Sequence, residues 1–353
     1  MIGTDRPVVV MVPGDLHLTE PGLENVRVAS WVVEQANRLI RPDFVQFIGD
    51  NVQDATEAQF RLFDEIRGRL EVPHFALVGD HDVKDDPLAS GFRRHVGAAH
   101  GSSSLGGFRF LRLNTQESKP VGLSAGQVEW FGREVDAALA SGERVVIFQH
   151  NYPYQIWESF EGPGIEEWRR ITQTRRVEAI LCGHTHYAQV ANDGRNVAVA
   201  TRSIGDPEGG EPGYLLLYFR GDDFALAHVP VDRRGPVVLA THPRDRLLAT
   251  TARHVVAALD RVVARAWPDP GVVAVRARVD EGPWVDLNPQ GDGHWSAPLP
   301  GHDLAKGEHP LEVVARDADG AEATDRVRFF VDPTGRYTAV PESRPVVTST
   351  AFC

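Results

Sequence analysis

The chain has 353 residues and a net charge of −12. At 38.9 kDa it is long for one domain and sufficient for two. A hydrophobic share of 42% and a charged share of 24% are those of a globular protein, and the acidic balance argues against non-specific binding to nucleic acid or anionic membrane. No stretch approaches the roughly 18 consecutive apolar residues of a membrane span. Cys182 and Cys353 make no disulfide framework and fit a reducing compartment, so a cytoplasmic location is expected.

Val8 to Val12 is too short for a signal-peptide core and reads as a first strand, closed by Pro13-Gly14. A helix follows from about Gly22 to Leu39, with Val26, Ala29, Val33 and Ala36 at helical spacing. Phe44 to Ile48 is the second strand, Ala55 to Leu70 the second helix, and Pro73 to Val78 the third strand. This alternation predicts an α/β protein with a parallel sheet. The polar passage from Lys84 to Gly107 has the composition of an active-site flap. Beyond it come a strand at Phe108–Leu113, a helix over Ser124–Leu139 with Ser124 as N-cap and Gln127 as its capping-box partner, a strand at Val145–Phe148, a helix at Gly164–Thr174 and a strand at Val177–Cys182. Strands near Tyr187–Ala191, Val197–Thr201, Tyr214–Phe219 and Phe224–Val229 follow, the first two joined by a hairpin signal at Asn192–Asn196.

Composition changes near Arg233-Arg234-Gly235-Pro236. Short strands at Arg261–Trp267, Val272–Val279, Trp284–Leu287, Leu311–Arg316 and Arg326–Val331, separated by turns, predict an immunoglobulin-like β-sandwich. The expected division is a first domain over 1–235, the sandwich over 236–336 and a flexible tail over 337–353. Trp267, Trp284 and Trp295 read as core or interdomain packing, with a recognition face as the alternative.

Five predicted strands of the first domain end in ligand-type residues: Asp15 and His17; Asp50; Asp80, His81 and Asp82; His150; His184 and His186. In open α/β sheets, ligands gather at the carboxyl ends of strands. Singly, each cluster is ordinary turn chemistry. Together they are rich in oxygen and imidazole donors, without a thiolate, and suit manganese, iron, zinc or cobalt.

The order Asp-x-His, Gly-Asp, Gly-Asp-His-Asp, His, Gly-His-x-His resembles the calcineurin-like metallophosphoesterase superfamily over roughly residues 7 to 232. The resemblance implies a four-layer αββα sandwich with a two-metal site at one edge, beside the C-terminal all-β sandwich. Carried over, Asp15, His17 and His186 hold the first metal, Asp50 bridges, and Asp80, His150 and His184 hold the second. A hydroxide bridging the ions, kept roughly 3.5–4 Å apart, is the implied nucleophile. His81 then faces the substrate, for charge stabilisation or leaving-group protonation, with Asp82 either orienting it or packing beneath the loop. The family block usually has Asn where this chain has Asp80, and the extra charge favours tighter metal binding or a trivalent iron beside a divalent ion. Gln53 stands where the purple acid phosphatase branch has a tyrosine ligand.

The resemblance is strongest to bacterial cyclic-nucleotide-phosphodiesterase-like members, which implies hydrolysis of a small phosphodiester. Asn51, Tyr154, Tyr187 and Arg202 are the expected substrate contacts. A phosphomonoesterase is the first alternative, since the −12 charge and the lack of a basic stripe argue against a nuclease of this superfamily. A metal-bound interaction module without catalysis is the second, and the sandwich leaves a homodimer open.

Overall fold

The computed structural model describes residues 6–84, 86, 88–154, 160–299 and 304–345. Cys353 and the tail beyond Pro345 lie outside the described residues. The first region alternates β1 (Val8–Pro13), α1 (Glu24–Glu34), β2 (Phe44–Phe47), α2 (Glu57–Arg67), β3 (His74–Ala76), α3 (Asp80–Val83), α4 (Ser90–His95), β4 (Gly101–Leu105), β5 (Phe108–Arg112), α5 (Ala125–Ala140), β6 (Arg144–Phe148), α6 (Ile165–Thr174) and β7 (Val177–Cys182). Then come only strands and short turns of helix: β8 (Gln189–Asn192), β9 (Val197–Ala200), β10 (Gly213–Arg220), β11 (Asp223–Pro230), β12 (Val237–His242), β13 (Arg261–Trp267), β14 (Val272–Val279), β15 (Val285–Gly291), β16 (His294–Pro298), β17 (Gly307–Asp317), β18 (Glu322–Val331) and β19 (Glu342–Pro345).

These strands form three sheets. The first has the order β11-β10-β1-β2-β3, and the second β19-β8-β9-β7-β6-β5-β4. Strand period explains how they stack. In β1, Val8, Val10 and Val12 join Phe108, Phe110, Val146, Phe148 and Leu181 in a core between the two sheets. The alternate residues Val9 and Met11 pack on Val28 and Val32 of α1 and Phe60 and Phe63 of α2. On the far side, Val145, Ile147 and Ile180 meet Phe131 and Val135 of α5 and Trp168 and Ile171 of α6. Strands apolar on both faces thus produce the expected αββα layers.

Local signals were realised with exceptions. Ser124 caps α5 by accepting from Gln127 N at 3.3 Å, but the Gln127 side chain turns to Asn114, donating to its carbonyl and accepting from its N–H, so no capping box forms. The first helix ends at Glu34, and Gln35–Ile40 continues as one wide π-helical turn.

The third sheet, β12-β13-β16-β15-β14-β17-β18, is all-β and antiparallel. Its halves enclose Val262, Ala264, Val275, Ala277, Val313, Ala315 and Phe329. Its end strands meet where Ala240 N donates to Asp325 Oδ2 at 2.7 Å. Trp267 is buried with the helix-facing core of the first sheet, Trp295 is half-buried, and Trp284 stands exposed between Arg276 and Arg278. The three tryptophans therefore share no single face. One expectation needs correction: Glu342–Pro345, placed in a flexible tail, pairs antiparallel with β8 through Glu342↔Asn192 and Pro345↔Gln189. The unpaired edge of β8 offers the hydrogen-bonding row that captures it.

Candidate metal centre

The strands that carry the five clusters run parallel within their sheets, β1 with β2 and β3, and β6 with β7. Hydrogen bonds lace the loops beyond them. Leu16 N and His17 N both donate to Asp50 O at 2.9 Å, Gly183 N donates to His150 O at 3.0 Å, and His184 N donates to Asp15 Oδ1 at 2.9 Å. Four of the clustered residues, His17, Asp50, His184 and His186, have left-handed backbones with φ between 46° and 67°. Non-glycine residues seldom adopt that conformation, and their concentration here is local strain gathered at one edge. Gly183 is small for a reason: a Cβ there would stand 2.8 Å from Asp15 Oδ1.

Two donor groups result. In one, Asp80 Oδ1 is 3.0 Å from both His150 Nε2 and His184 Nδ1, and Asp50 Oδ2 is 3.3 Å from His150 Nε2. In the other, His17 Nε2 is 3.2 Å from His186 Nε2 and 3.8 Å from the same Asp50 Oδ2. The fit to cations rests on three observations. Ligands about 2.0–2.2 Å from a shared ion sit roughly 3.0–3.5 Å from one another, which is the spacing found apart from the 3.8 Å between His17 and Asp50. Asp15 Oδ2 is buried without a hydrogen-bond partner among the described residues. Two imidazole nitrogens face each other beside carboxylates, a mixed nitrogen and oxygen set suited to divalent ions.

The electrostatics agree. Burial works against a charged His150, yet the carboxylates of Asp50 and Asp80 outweigh it and hold the ring well above its ordinary value. Burial likewise raises Asp80, but hydrogen bonds and charge from His150 and His184 hold that carboxyl far below its usual range. Such a cluster demands positive charge, which a cation at Nε2 supplies in place of a proton.

His81 stands beside this centre, its ring 4.7 Å from that of His17 and its Nε2 3.8 Å from Asp80 Oδ2. Its Nδ1 lies 2.8 Å from Gln53 O. A carbonyl can only accept, so Nδ1 carries the proton there and Nε2 is turned to the pocket.

Other expected residues are placed differently. Asp82 does not orient His81. Its Oδ1 accepts from Asn51 N and Val52 N, and its Oδ2 from Gly79 N and Asn51 Nδ2, so it ties the second loop to the third from beneath. Burial and the Asp50 carboxylate push it up to about 7 against those bonds. Asn51 is fully buried and its amide also donates to Leu77 O, so it is no substrate contact. Tyr154 donates to Asp193 Oδ2 at 2.8 Å, at the turn of the β8–β9 hairpin remote from His186, which carries its hydroxyl away from the centre. Arg202 donates to Glu211 O at 3.3 Å. Tyr187 is exposed next to His186. Two acids not expected as site residues are present: Asp206 Oδ2 is 3.8 Å from His17 Nε2, and Glu208 Oε2 is 2.9 Å from His186 Nδ1. Their signal was the same as for the other loops, a polar cluster after a strand.

No helix among the described residues is long and apolar enough to cross a membrane. Over residues 8–188 the chain matches the family model described as calcineurin-like phosphoesterase. It is 24% identical over 234 residues to human tartrate-resistant acid phosphatase type 5, covering 53% of this chain and 70% of that one. It is 26% identical over 159 residues to a probable glycerophosphodiester phosphodiesterase GpdQ of Arcobacter nitrofigilis, covering 41% of this chain and only 57% of that one. The fold is similar to that of a dimetal phosphatase from Danio rerio, with a TM-score of 0.50 and 15% identity over 63% of this chain and 96% of the other. The matched segment holds all five loops, and by it the chain belongs to the calcineurin-like phosphoesterase family, as a metallophosphoesterase.

Proposed function

We propose that the protein hydrolyses small phosphodiesters with two metal ions, as in the bacterial cyclic-nucleotide-phosphodiesterase-like branch of its family. One observation carries the reading: Asp50 Oδ2 is 3.3 Å from His150 Nε2 and 3.8 Å from His17 Nε2, so a single carboxylate oxygen serves both donor groups. Asp15, His17, Asp50 and His186 hold one ion; Asp50, Asp80, His150 and His184 hold the other. The ions are manganese, iron or zinc, or a ferric ion paired with a divalent one. When bound, such a pair polarises the phosphoryl oxygens and acidifies water enough to act as nucleophile near neutral pH.

The chain's own groups do the rest. His81, anchored through Nδ1–H to the Gln53 carbonyl, points Nε2 at the pocket, and with both nitrogens protonated the ring would donate from Nε2 to a phosphoryl or leaving oxygen. Its peptide N–H, donating to Asp50 Oδ1 at 2.9 Å, fixes the carboxylate that faces both groups. Asp15, Asp50 and Asp80 bring three negative charges to the centre, close to the charge of the cations. A singly charged diester suits that balance better than a doubly charged monoester. We read residues 1–235 as the hydrolase domain and 236–336 as an immunoglobulin-like sandwich, in a cytoplasmic protein whose one described cysteine, Cys182, is free and buried.

The test is to load the protein with manganese, iron or zinc and compare bis(p-nitrophenyl) phosphate with p-nitrophenyl phosphate, with and without chelator. Chelator-sensitive turnover, faster on the diester and lost in Asp50→Asn, is expected. Faster turnover of the monoester makes the protein a phosphatase. No turnover of either makes it a metal-bound interaction module.

A further inference from the structure

A sixth loop reaches the centre. β9 pairs parallel with β7 through Ile180↔Ala198 and Cys182↔Ala200, so its carboxyl end meets the same edge as His184. The loop beyond it is clamped to Asp15, whose carbonyl oxygen accepts from Ile204 N and Gly205 N at 2.9 Å and from Ser203 Oγ at 3.0 Å. Ser203 Oγ in turn accepts from Asp206 N at 2.8 Å. Gly205 lets the loop lie against His17, since a Cβ there would stand 2.5 Å from His17 Cβ.

The clamp delivers two carboxylates. Asp206 Oδ2 is 3.8 Å from His17 Nε2, and one ligand atom each from His17, His186 and Asp206 lie within 4.8 Å of one another. Glu208 Oε2, 2.9 Å from His186 Nδ1, can only accept, so His186 donates from Nδ1 and keeps a lone pair on Nε2. That Nε2 lies 3.2 Å from His17 Nε2. A carboxylate that fixes the tautomer of a ligating imidazole is a recurrent support of metal sites. The residue that anchors the loop, Asp15, also has the buried, unpartnered Oδ2.

We propose that Asp206 is a further ligand of the ion held by His17 and His186, and that Glu208 is the positioning residue that presents His186 Nε2 to it. The inference rests on the two-ion reading and deepens it: the first site is the richer in carboxylates, with Asp15, Asp50 and Asp206, and takes the harder ion of an unlike pair.

The test is titration of the metal-free full-length protein with manganese, followed by calorimetry and by the electron paramagnetic resonance of the bound ion. Two sites are expected in the wild type. Asp206→Asn should weaken one of them by about tenfold to a hundredfold, alter its spectrum and leave the other unchanged; Glu208→Gln should weaken the same site. The Asp206 side chain is 54% exposed, so the melting temperature of the metal-free variant should match the wild type. Wild-type affinity at both sites in Asp206→Asn overturns the inference and leaves the two-ion reading standing. Equal loss at both sites with a lowered metal-free melting temperature also overturns it, in favour of a structural role. A wild type that takes up no manganese overturns the two-ion reading and this inference together.

Discussion

Asp80 Oδ1 lies 3.0 Å from His184 Nδ1, and the same oxygen is as close to His150 Nε2. A carboxylate at this point adds a full negative charge where an amide oxygen would add none. Replacing it tests what the charge does. Asp80→Asn keeps the shape and should weaken the second ion by roughly tenfold to a hundredfold, since ligand charge tunes the affinity of such sites. It should also raise monoester turnover relative to diester turnover. Metal content and the two rates measured side by side check this; no change in either removes the charge argument.

A buried ion pair joins the two regions of the chain. Arg244 Nη1 donates to Glu178 Oε1 at 2.5 Å, and both side chains are 2% exposed. Glu178 belongs to β7, and Arg244 follows β12. Removing Glu178 leaves the buried Arg244 charge with only the Asp222 carbonyl at 3.1 Å and the Phe224 ring beside it, and breaking such a pair from one side costs about 3–5 kcal/mol. Glu178→Leu should therefore unfold at markedly lower urea concentration. The double variant Glu178→Leu with Arg244→Met should regain most of that loss. Additive losses would show that the pair is not coupled.

His228 gives stability an acid limit. Burial pushes its ring down to about 3, Arg202 adds to the effect, and the bond to Glu211 O opposes it. Above pH of about 6.5 the ring is neutral whether the chain is folded or not. As pH falls from there towards 3, the unfolded chain takes up a proton that the folded chain refuses, so stability is lost. At pH 5 the loss from this ring is about 2 kcal/mol relative to neutral pH. Urea unfolding at pH 7.5 and pH 5.0 should show a smaller difference between the two conditions in His228→Gln than in the wild type.

Much of this was legible in the sequence because it rests on local rules. Apolar strand followed by polar turn located the five loops, and the alternation of strand and helix gave the parallel sheet, while the αββα layering came with the family resemblance. What escaped depends on direction. Asp82 and His81 are adjacent in α3, where successive residues point roughly 100° apart, so a carboxylate next in sequence cannot face that imidazole. Asn51 follows a residue with a left-handed backbone, and its side chain is sent inward. The hairpin signal placed Asp193 in the turn after β8 but gave no sign that Tyr154 would bond to it there, away from the centre. In the third sheet, β16 was missed because its five residues mix polar and apolar side chains, whereas β12 was missed although Val237 to Ala240 is a continuous apolar run. The loop after β9 obeyed the same strand-end rule as the others, and Arg202 was taken from it as a substrate contact, but its acids were not read as ligands because they match no named block.

The return of the chain at β19 changes what a domain border means here. Having crossed into the third sheet, the polypeptide comes back to hydrogen-bond with β8, the strand that follows His186. Arg246, beyond β12, bonds Glu342 in that returning strand. The C-terminal region is thus strapped to the hydrolytic half at both ends. A fragment cut at the composition change near Gly235 would lose a strand from its own second sheet and bare a sticky edge beside the metal loops. The two halves are sequential in composition but interleaved in construction, and the short strand at the end of the described chain covers a sheet edge that would otherwise be open to other chains.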